Sequence, residues 1–129
     1  MKVKGLASCV VFLFAFEAPA AFAAQQWNCK YHWVDPSGNG PDISNTLIEN
    51  DAASLDGFLD DLSNTRERYK IFQNSQAGLI AILPPRTEDS LQLQAIILEK
   101  QSGAMKMVAT VADGTYIDIV VGKCIRAPK

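Results

Sequence analysis

Residues 27–33 read WNCKYHW, and the fold prediction begins with this run. Apolar and aromatic residues alternate in it with polar ones, which is the period-two pattern of a β-strand that buries one face. Trp27, Cys29, Tyr31 and Trp33 share that face, and aromatic side chains beside a disulfide cysteine usually belong to a core. The run therefore predicts an early strand that carries Cys29 on its inward side.

The chain has three cysteines, Cys9, Cys29 and Cys124. Cys9 lies in a segment that we expect to be removed, so an even pair remains. In an oxidising compartment Cys29 and Cys124 should form a disulfide, and a bridge across so long a loop stabilises a fold by about 4 kcal/mol. The first and last strands must then lie side by side.

Residues 1–23 have the parts of an export signal peptide. Lys2 and Lys4 precede the apolar stretch 9–16, and the small-x-small triplet 21–23 supplies a cleavage site. The apolar stretch is shorter than the about 20 residues that a membrane-spanning helix needs, so we expect cleavage, with triplet 18–20 as an alternative cut. The prediction is a periplasmic or secreted protein whose residues 24–129 form a single disulfide-linked domain without a membrane span.

The charge balance argues against nucleic acid as a partner. The chain has 12 basic and 14 acidic residues, and the signal holds Lys2, Lys4 and Glu17. The remainder has 10 basic and 13 acidic residues, a net charge of −3. Because phosphate backbones are bound mainly by Lys and Arg, we expect a protein or small-molecule partner instead.

The rest of the chain is dominated by short strand patterns separated by turn-forming residues. The predicted strands are 43–48, 69–73, 78–83, 91–98, 104–111 and 116–125. Turns are predicted at 74–77, 101–103 and Asp113-Gly114, the last as a type I′ turn. Such short connections imply antiparallel pairing. The predicted fold is therefore mainly β, a small antiparallel meander forming a curved sheet or barrel whose first and last strands meet.

Residues 50–67 fit two structures. Leu55, Phe58, Leu59 and Leu62 have helical spacing, whereas Asp56-Gly57 is typical of a tight hairpin turn. The pattern favours one short helix or an irregular loop in this segment.

Gly122 is predicted to form a β-bulge in the last strand. If Ile117, Ile119 and Val121 face inward, strict alternation places Cys124 on the opposite face. An extra residue at Gly122 would restore the inward direction of Cys124.

No catalytic residues are predicted. His32 is the only histidine and lies on the strand face opposite Cys29. The chain has no Gly-x-Ser-x-Gly elbow, and both remaining thiols are assigned to the bridge. Carboxylates of the acidic segment 50–67 leave an enzymatic alternative, a small hydrolase acting on envelope polymers.

Metal ions and cofactors are not predicted either. Residues 35–40 have the oxygen side chains and the glycine of a calcium loop, but Thr46 stands where a bidentate Glu is expected. The same residues are ordinary turn formers, and one histidine with two bridged cysteines leaves too few ligands for zinc.

Several short pieces resemble a group of small, uncharacterised, exported (periplasmic) alphaproteobacterial proteins. The pieces are Trp27-x-Cys29, Tyr69-x-Ile71-x-x-Asn74, Gly78-Leu79-Ile80-Ala81, Ile97 with Lys100 and Gly103, and Gly122-Lys123-Cys124. Each piece is short, and together they span most of the length of the mature domain. The resemblance implies an exported β domain and supplies no site residue.

The layout is more distantly similar to that of the periplasmic and membrane-bound inhibitors of c-type lysozyme. Those proteins are small antiparallel barrels with an early and a late cysteine, and Ser102-Gly103-Ala104 resembles their Ser-Gly loop. The aromatic residue that should follow is replaced by Met105-Lys106, so no inhibitory residue is carried over.

Besides the hydrolase, a lysozyme-inhibitor-like protein and a purely structural envelope component are alternatives. The sequence favours a non-enzymatic binding or interaction module of the bacterial envelope. Its partner is a protein or a small ligand, bound through loops and one sheet face. Met105 and Met107 alternate with Lys106 and are assigned to the core, as are the aromatic residues of 27–33, so the sequence does not locate a binding surface.

Overall fold

The computed structural model describes residues 24–85, 91–112 and 117–128, which form an antiparallel β-barrel. Its strands are β1 (Gln25–Asp35), β2 (Gly38–Asn39), β3 (Ile43–Glu49), β4 (Ser54–Asp60), β5 (Thr65–Asn74), β6 (Gly78–Leu83), β7 (Gln92–Glu99), β8 (Ala104–Val111) and β9 (Ile117–Arg126). Eight of them close the barrel, and the two-residue β2 pairs with the end of β1. The predicted mainly β meander is confirmed.

The barrel closes where the first long strand meets the last. β1 and β9 pair in an unbroken antiparallel register from Trp27 opposite Arg126 to Val34 opposite Ile119. Cys29 and Cys124 are directly opposite each other in this register, and they are joined by a disulfide with Cα atoms 3.9 Å apart. The predicted bridge is therefore present, and it crosses the seam that turns the sheet into a barrel.

Alternate residues of the strands fill the interior. The largest fully buried side chains are Trp27, Leu47, Leu55, Leu79, Ile96, Leu98 and Val120. Met105 and Met107 are buried as predicted, at 3% and 8% exposure. Trp33 departs from the prediction, because it lies at the end of the barrel and is 39% exposed.

Most predicted strands and turns have close counterparts. β6 and β8 have the predicted bounds, and the turn after β7 contains Gly103, whose amide donates to the Glu99 carbonyl at 2.8 Å. The predicted turn at Asp113-Gly114 lies outside the described residues, as does the signal peptide 1–23.

The prediction of a short helix in residues 50–67 is wrong. This segment forms β4 and the start of β5, and their connection lies at residues 61–64, so Asp56-Gly57 is not the turn either. Asn64 closes the connection with a φ of 54°, and its amide donates to the Asp60 carbonyl at 2.6 Å. Within the described part of the chain, no helix is long and apolar enough to cross a membrane.

The predicted bulge at Gly122 is also wrong. β9 keeps an unbroken register with both β1 and β8, and it is Val120 and Cys124 that face inward, while Ile117 is 62% exposed. Gly122 has another role, since a Cβ on it would lie 2.2 Å from the Lys30 carbonyl oxygen and 2.6 Å from Tyr31 Cα. Only glycine permits β1 and β9 to approach this closely.

Candidate functional site

One end of the barrel interior is an open cavity of about 700 Å³. The other end of the barrel interior is filled by buried side chains, among them Trp27, Leu47 and Leu55. The lining of the cavity combines aromatic rings with side chains that can hydrogen-bond, and the main contributors are Tyr31, Trp33, Asn45, Phe58, Tyr69 and Gln94. The volume lies within the range of about 300–1,000 Å³ that is usual for small-molecule sites.

A β-bulge in β4 brings Phe58 into this cavity. Asp56 pairs with Arg68 but Leu59 pairs with Arg66, so β4 has one more residue than β5 over this interval. A bulge re-aims a side chain that would otherwise alternate outward. The ring of Phe58 stacks on that of Tyr31, with centroids 4.2 Å apart and an interplanar angle of 21°.

Gly57, in the same bulge, makes room for the ring of Tyr69. A Cβ on Gly57 would lie 2.6 Å from Cε1 of that ring. The Tyr69 hydroxyl accepts a hydrogen bond from Gln94 Nε2 and points toward Met107 Sδ at 3.8 Å. Gln94 and Tyr69 thus hold each other at the inner part of the cavity.

Both cavity tyrosines are held in the neutral form. Burial raises the pKa of Tyr69, and the nearby charge of Glu67 raises it further. Burial also raises the pKa of Tyr31, with a smaller contribution from the charge of Asp61. The two phenol groups therefore stay protonated well into the alkaline range, and both can donate hydrogen bonds.

Three carboxylates line the outer part of the cavity, namely Asp60, Asp61 and Glu67. Asp60 caps its own turn, because its Oδ1 accepts from the Leu62 amide at 2.9 Å. This hydrogen bond is the main reason why the pKa of Asp60 is lowered, so the group is ionised at neutral pH. Among the described residues that line the cavity, every charged side chain is acidic.

The barrel wall beside the cavity is held by side chains. β3 and β4 share only two described residue pairs, Ile48 with Asp56 and Glu49 with Leu55. Nearer the cavity, Asn45 Nδ2 donates to the Leu59 carbonyl at 2.9 Å, and the Leu59 amide donates to Asn45 Oδ1 at 3.2 Å.

Arg66 completes this contact between β3 and β4. Its Nη1 donates to the Thr46 carbonyl at 2.5 Å and to the Gly57 carbonyl at 2.9 Å, and its Nη2 donates to Thr46 Oγ1 at 2.7 Å. One guanidinium thus takes the place of ladder hydrogen bonds that the separated strands do not make.

Replacing Arg66 with methionine should lower the free energy of unfolding by about 2–3 kcal/mol, because partly buried carbonyl groups lose a charged donor. Urea unfolding measures this change. Arg68→Met is the matched control, since the Arg68 side chain is 69% exposed and its pair with Asp56 should contribute less than about 1 kcal/mol. Equal losses in both variants would show that Arg66 does not hold the wall.

The opposite end of the barrel is closed by a buried polar cluster around Glu49. Glu49 is 2% exposed, and its Oε1 accepts from Trp27 Nε1 at 2.8 Å. Lys100 Nζ lies 3.5 Å from Oε1, and Asn74 Nδ2 donates to Oε2 at 3.3 Å. We define Trp27, Glu49, Asn74 and Lys100 as the base cluster.

The base cluster was not predicted from the sequence, although the residue alternation in β3 indicates it. In β3, Glu49 is two residues after the buried Leu47, so strict alternation places both on the inward face. A carboxylate on a buried face needs a cationic or hydrogen-bonding partner, which here comes from β1 and from the ends of β5 and β7.

The other residues considered from the sequence lie outside the cavity. His32 is on the outer face of β1, with Nδ1 3.4 Å from Asp42 Oδ1. Asp35 Oδ1 accepts from the Ser37 amide at 2.8 Å, which is the hydrogen bonding of an ordinary turn. Ser102 lies in the turn between β7 and β8, at the end with the base cluster. In the described residues, no group of three or more His, Cys, Asp or Glu could hold a metal ion.

The outside of the barrel carries an apolar row across neighbouring strands. The register places Ile82, Ala95, Val108, Ile119 and Val34 side by side on β6, β7, β8, β9 and β1. Most of these side chains are half-buried by their neighbours, and Val34 is 37% exposed. This outer row has no polar groups that could orient a ligand, in contrast to the cavity.

No protein-family model, curated protein or solved structure matches the chain.

Proposed function

We propose that the protein is an exported, non-enzymatic binding module of the bacterial envelope that holds a small molecule in the cavity at the open end of its barrel. The observation that carries this proposal is the cavity itself, about 700 Å³ in volume and lined by Tyr31, Trp33, Phe58 and Tyr69. Aromatic walls with a few oriented polar groups are the usual composition of a small-molecule site.

The two ends of the barrel differ in a way that suits binding. An eight-stranded barrel is just wide enough either to be filled by its own side chains or to hold one small ligand. Here the end with the base cluster is filled and hydrogen-bonded, while the other end is open. The closed end provides stability, and the open end is available to a ligand.

The residues that line the cavity support a general chemistry for the ligand. The stacked rings of Tyr31 and Phe58 offer flat apolar surface for an aromatic or aliphatic body. Gln94 and the hydroxyls of the two tyrosines offer hydrogen bonds deeper in the cavity. A ligand with an apolar body and at least one polar group would contact the aromatic rings and also use these hydrogen-bonding groups.

The hydrolase alternative has less support from the same residues. Two-carboxylate hydrolysis needs one carboxyl group that keeps its proton near neutral pH. Asp60 has a lowered pKa because it accepts the Leu62 amide hydrogen bond, which is the opposite of what a general acid requires. Asp56, the other acid of β4 in the 50–67 segment, pairs with Arg68 at 3.1 Å.

The proposal is tested with prodan, a neutral aromatic dye whose emission shifts to shorter wavelength in an apolar site. The purified protein should shift the emission with saturation at one dye per chain. Phe58→Ala should weaken binding about tenfold, because it removes a ring from the cavity. Phe72→Ala is the matched control, since Phe72 is 76% exposed on the bulge of β5 and should leave affinity unchanged.

Thermal unfolding of each variant separates weaker binding from a loosened barrel. Thr65→Trp is a second variant, which keeps Phe58 and adds bulk at an exposed position of the cavity lining. It should also weaken binding. Absence of saturable binding, or equal binding by the wild type and both cavity variants, would overturn the proposal.

A further inference from the structure

The charge of the cavity restricts the chemical class of the ligand more than the shape of the cavity does. Asp60, Asp61 and Glu67 line the outer part, and no basic side chain lines it among the residues that the structure describes. An anionic ligand would enter against three carboxylates, whereas a cation would be attracted to them.

The negative charges of these carboxylates act on the aromatic residues of the cavity. The charge of Asp61 contributes to the raised pKa of Tyr31, and the charge of Glu67 contributes to that of Tyr69. The two acids therefore lie close enough to the rings to stabilise a positive charge placed between them.

The aromatic walls favour the same sign of charge. The faces of aromatic rings carry negative electrostatic potential and attract ammonium groups within about 6 Å of the ring centre. Tyr31, Trp33, Phe58 and Tyr69 all contribute to the cavity lining. Aromatic rings together with nearby carboxylates are well suited to bind an organic cation.

Arg66 is the cation in the neighbouring wall, and it does not cancel this preference. Its guanidinium is engaged by the Thr46 carbonyl, the Thr46 hydroxyl and the Gly57 carbonyl. Among the described residues of the cavity lining and the adjoining wall, three carboxylates outnumber this one arginine, so the summed charge of these residues is negative.

We propose that the cavity binds a small organic cation, an amine or quaternary ammonium group attached to an aromatic or short aliphatic body. This proposal rests on the proposed function, because it assigns the ligand class of the same cavity. The ammonium group lies among the aromatic faces near Asp61 and Glu67, and the body fills the inner part toward Gln94.

Three probes with the same ring and different charge test the proposal by displacing prodan. They are naphthylmethylammonium, which is cationic, naphthalenemethanol, which is neutral, and naphthaleneacetate, which is anionic. The cation should displace the dye at a concentration about tenfold lower than the alcohol, and the anion should be the weakest of the three. Added salt should weaken the cation and leave the alcohol unchanged.

Charge-neutralising variants identify the carboxylates responsible. Asp61→Asn and Glu67→Gln should each reduce the preference for the cation over the alcohol while the alcohol binds as before. Glu99→Gln is the matched control, because Glu99 is an exposed acid at the end of β7 near the base cluster. It should leave the preference unchanged.

The outcomes separate the two proposals. If the alcohol displaces prodan as well as the cation does, the cavity binds ligands but its charge selectivity is absent, which overturns this inference alone. If the anion displaces prodan more strongly than the cation does, this inference is likewise overturned and the proposed function is not. If prodan itself does not bind, the proposed function fails and the inference fails with it.

Discussion

Removal of the Cys29–Cys124 disulfide should lower the free energy of unfolding by about 4 kcal/mol. The two cysteines are 95 residues apart in the sequence, so the bridge restricts almost the whole unfolded domain. In the chain-entropy description a loop of this length corresponds to roughly 4–5 kcal/mol. A domain of about 100 residues has only about 5–15 kcal/mol of stability, so the bridge accounts for a large fraction of it.

The folded barrel should nevertheless persist without the bridge under mild conditions. The seam between β1 and β9 is also held by a continuous backbone register, and Cys29 and Cys124 are only one pair within it. The disulfide therefore acts mainly on the unfolded chain. Circular dichroism of the Cys29→Ala/Cys124→Ala variant should show the native strand content at low temperature.

Urea unfolding with and without reductant provides the test. Reductant should bring the wild type to the stability of the double variant, and it should not affect the variant. Alkylation of both thiols in the wild type before reduction would contradict the bridge. An unfolding midpoint that reductant leaves unchanged would contradict its contribution to stability.

The strands and the barrel closure could be predicted because they depend on local alternation and short turns. β6 and β8 are alternating apolar runs between turn formers, and the sequence places both at their observed bounds. Closure of the barrel could be predicted from the expected disulfide, because a bond between Cys29 and Cys124 in a meander requires its first and last strands to meet.

The helix prediction failed because a bulge imitates helical spacing. Leu55 and Phe58 both contact the core although they are three residues apart, which regular alternation in a strand does not permit. The extra residue in β4 at Gly57 and Phe58 accounts for this spacing. Leu62, the last residue in the apparent helical pattern, is 99% exposed in the following turn.

The Gly122 prediction failed for a different reason, because it assumed that apolar residues of β9 face inward. Ile117 and Ile125 are 62% and 74% exposed, and the outer row of the barrel is itself apolar. Hydrophobicity therefore does not distinguish the two faces of this strand. The cavity could not be predicted at all, since its volume depends on how eight strands curve around unfilled space.

Glu49→Ala should lower the free energy of unfolding by about 4 kcal/mol, because it breaks the buried base cluster. Removing one member of a buried ion pair leaves the other charge without its partner at a site that water does not reach freely. Lys100, with a side chain only 13% exposed, is that charge, and the indole N–H of Trp27 loses its acceptor as well. Urea unfolding measures the loss.

Glu99→Ala is the matched control for Glu49→Ala. Both changes remove a glutamate from the end of a strand, but Glu99 is exposed and should change stability by no more than about 0.5 kcal/mol. Glu49→Gln should cost less than Glu49→Ala, since its amide oxygen can still accept from Trp27 Nε1.

A double variant separates the unpaired charge from the lost packing. Lys100→Met introduced into Glu49→Ala removes the ammonium group that has lost its ion-pair partner, so it should recover part of the lost stability. In the wild type, Lys100→Met should be destabilising, because it leaves the buried Glu49 carboxylate without its ion-pair partner. The part that is not recovered belongs to the indole of Trp27 and the amide of Asn74, which still lack their acceptor, and to Asn74 Oδ1, which loses the hydrogen bond that Lys100 Nζ donates at 2.6 Å. If Lys100→Met has the same effect with and without Glu49, the two charges are not coupled, and the ion pair does not stabilise the closed end of the barrel.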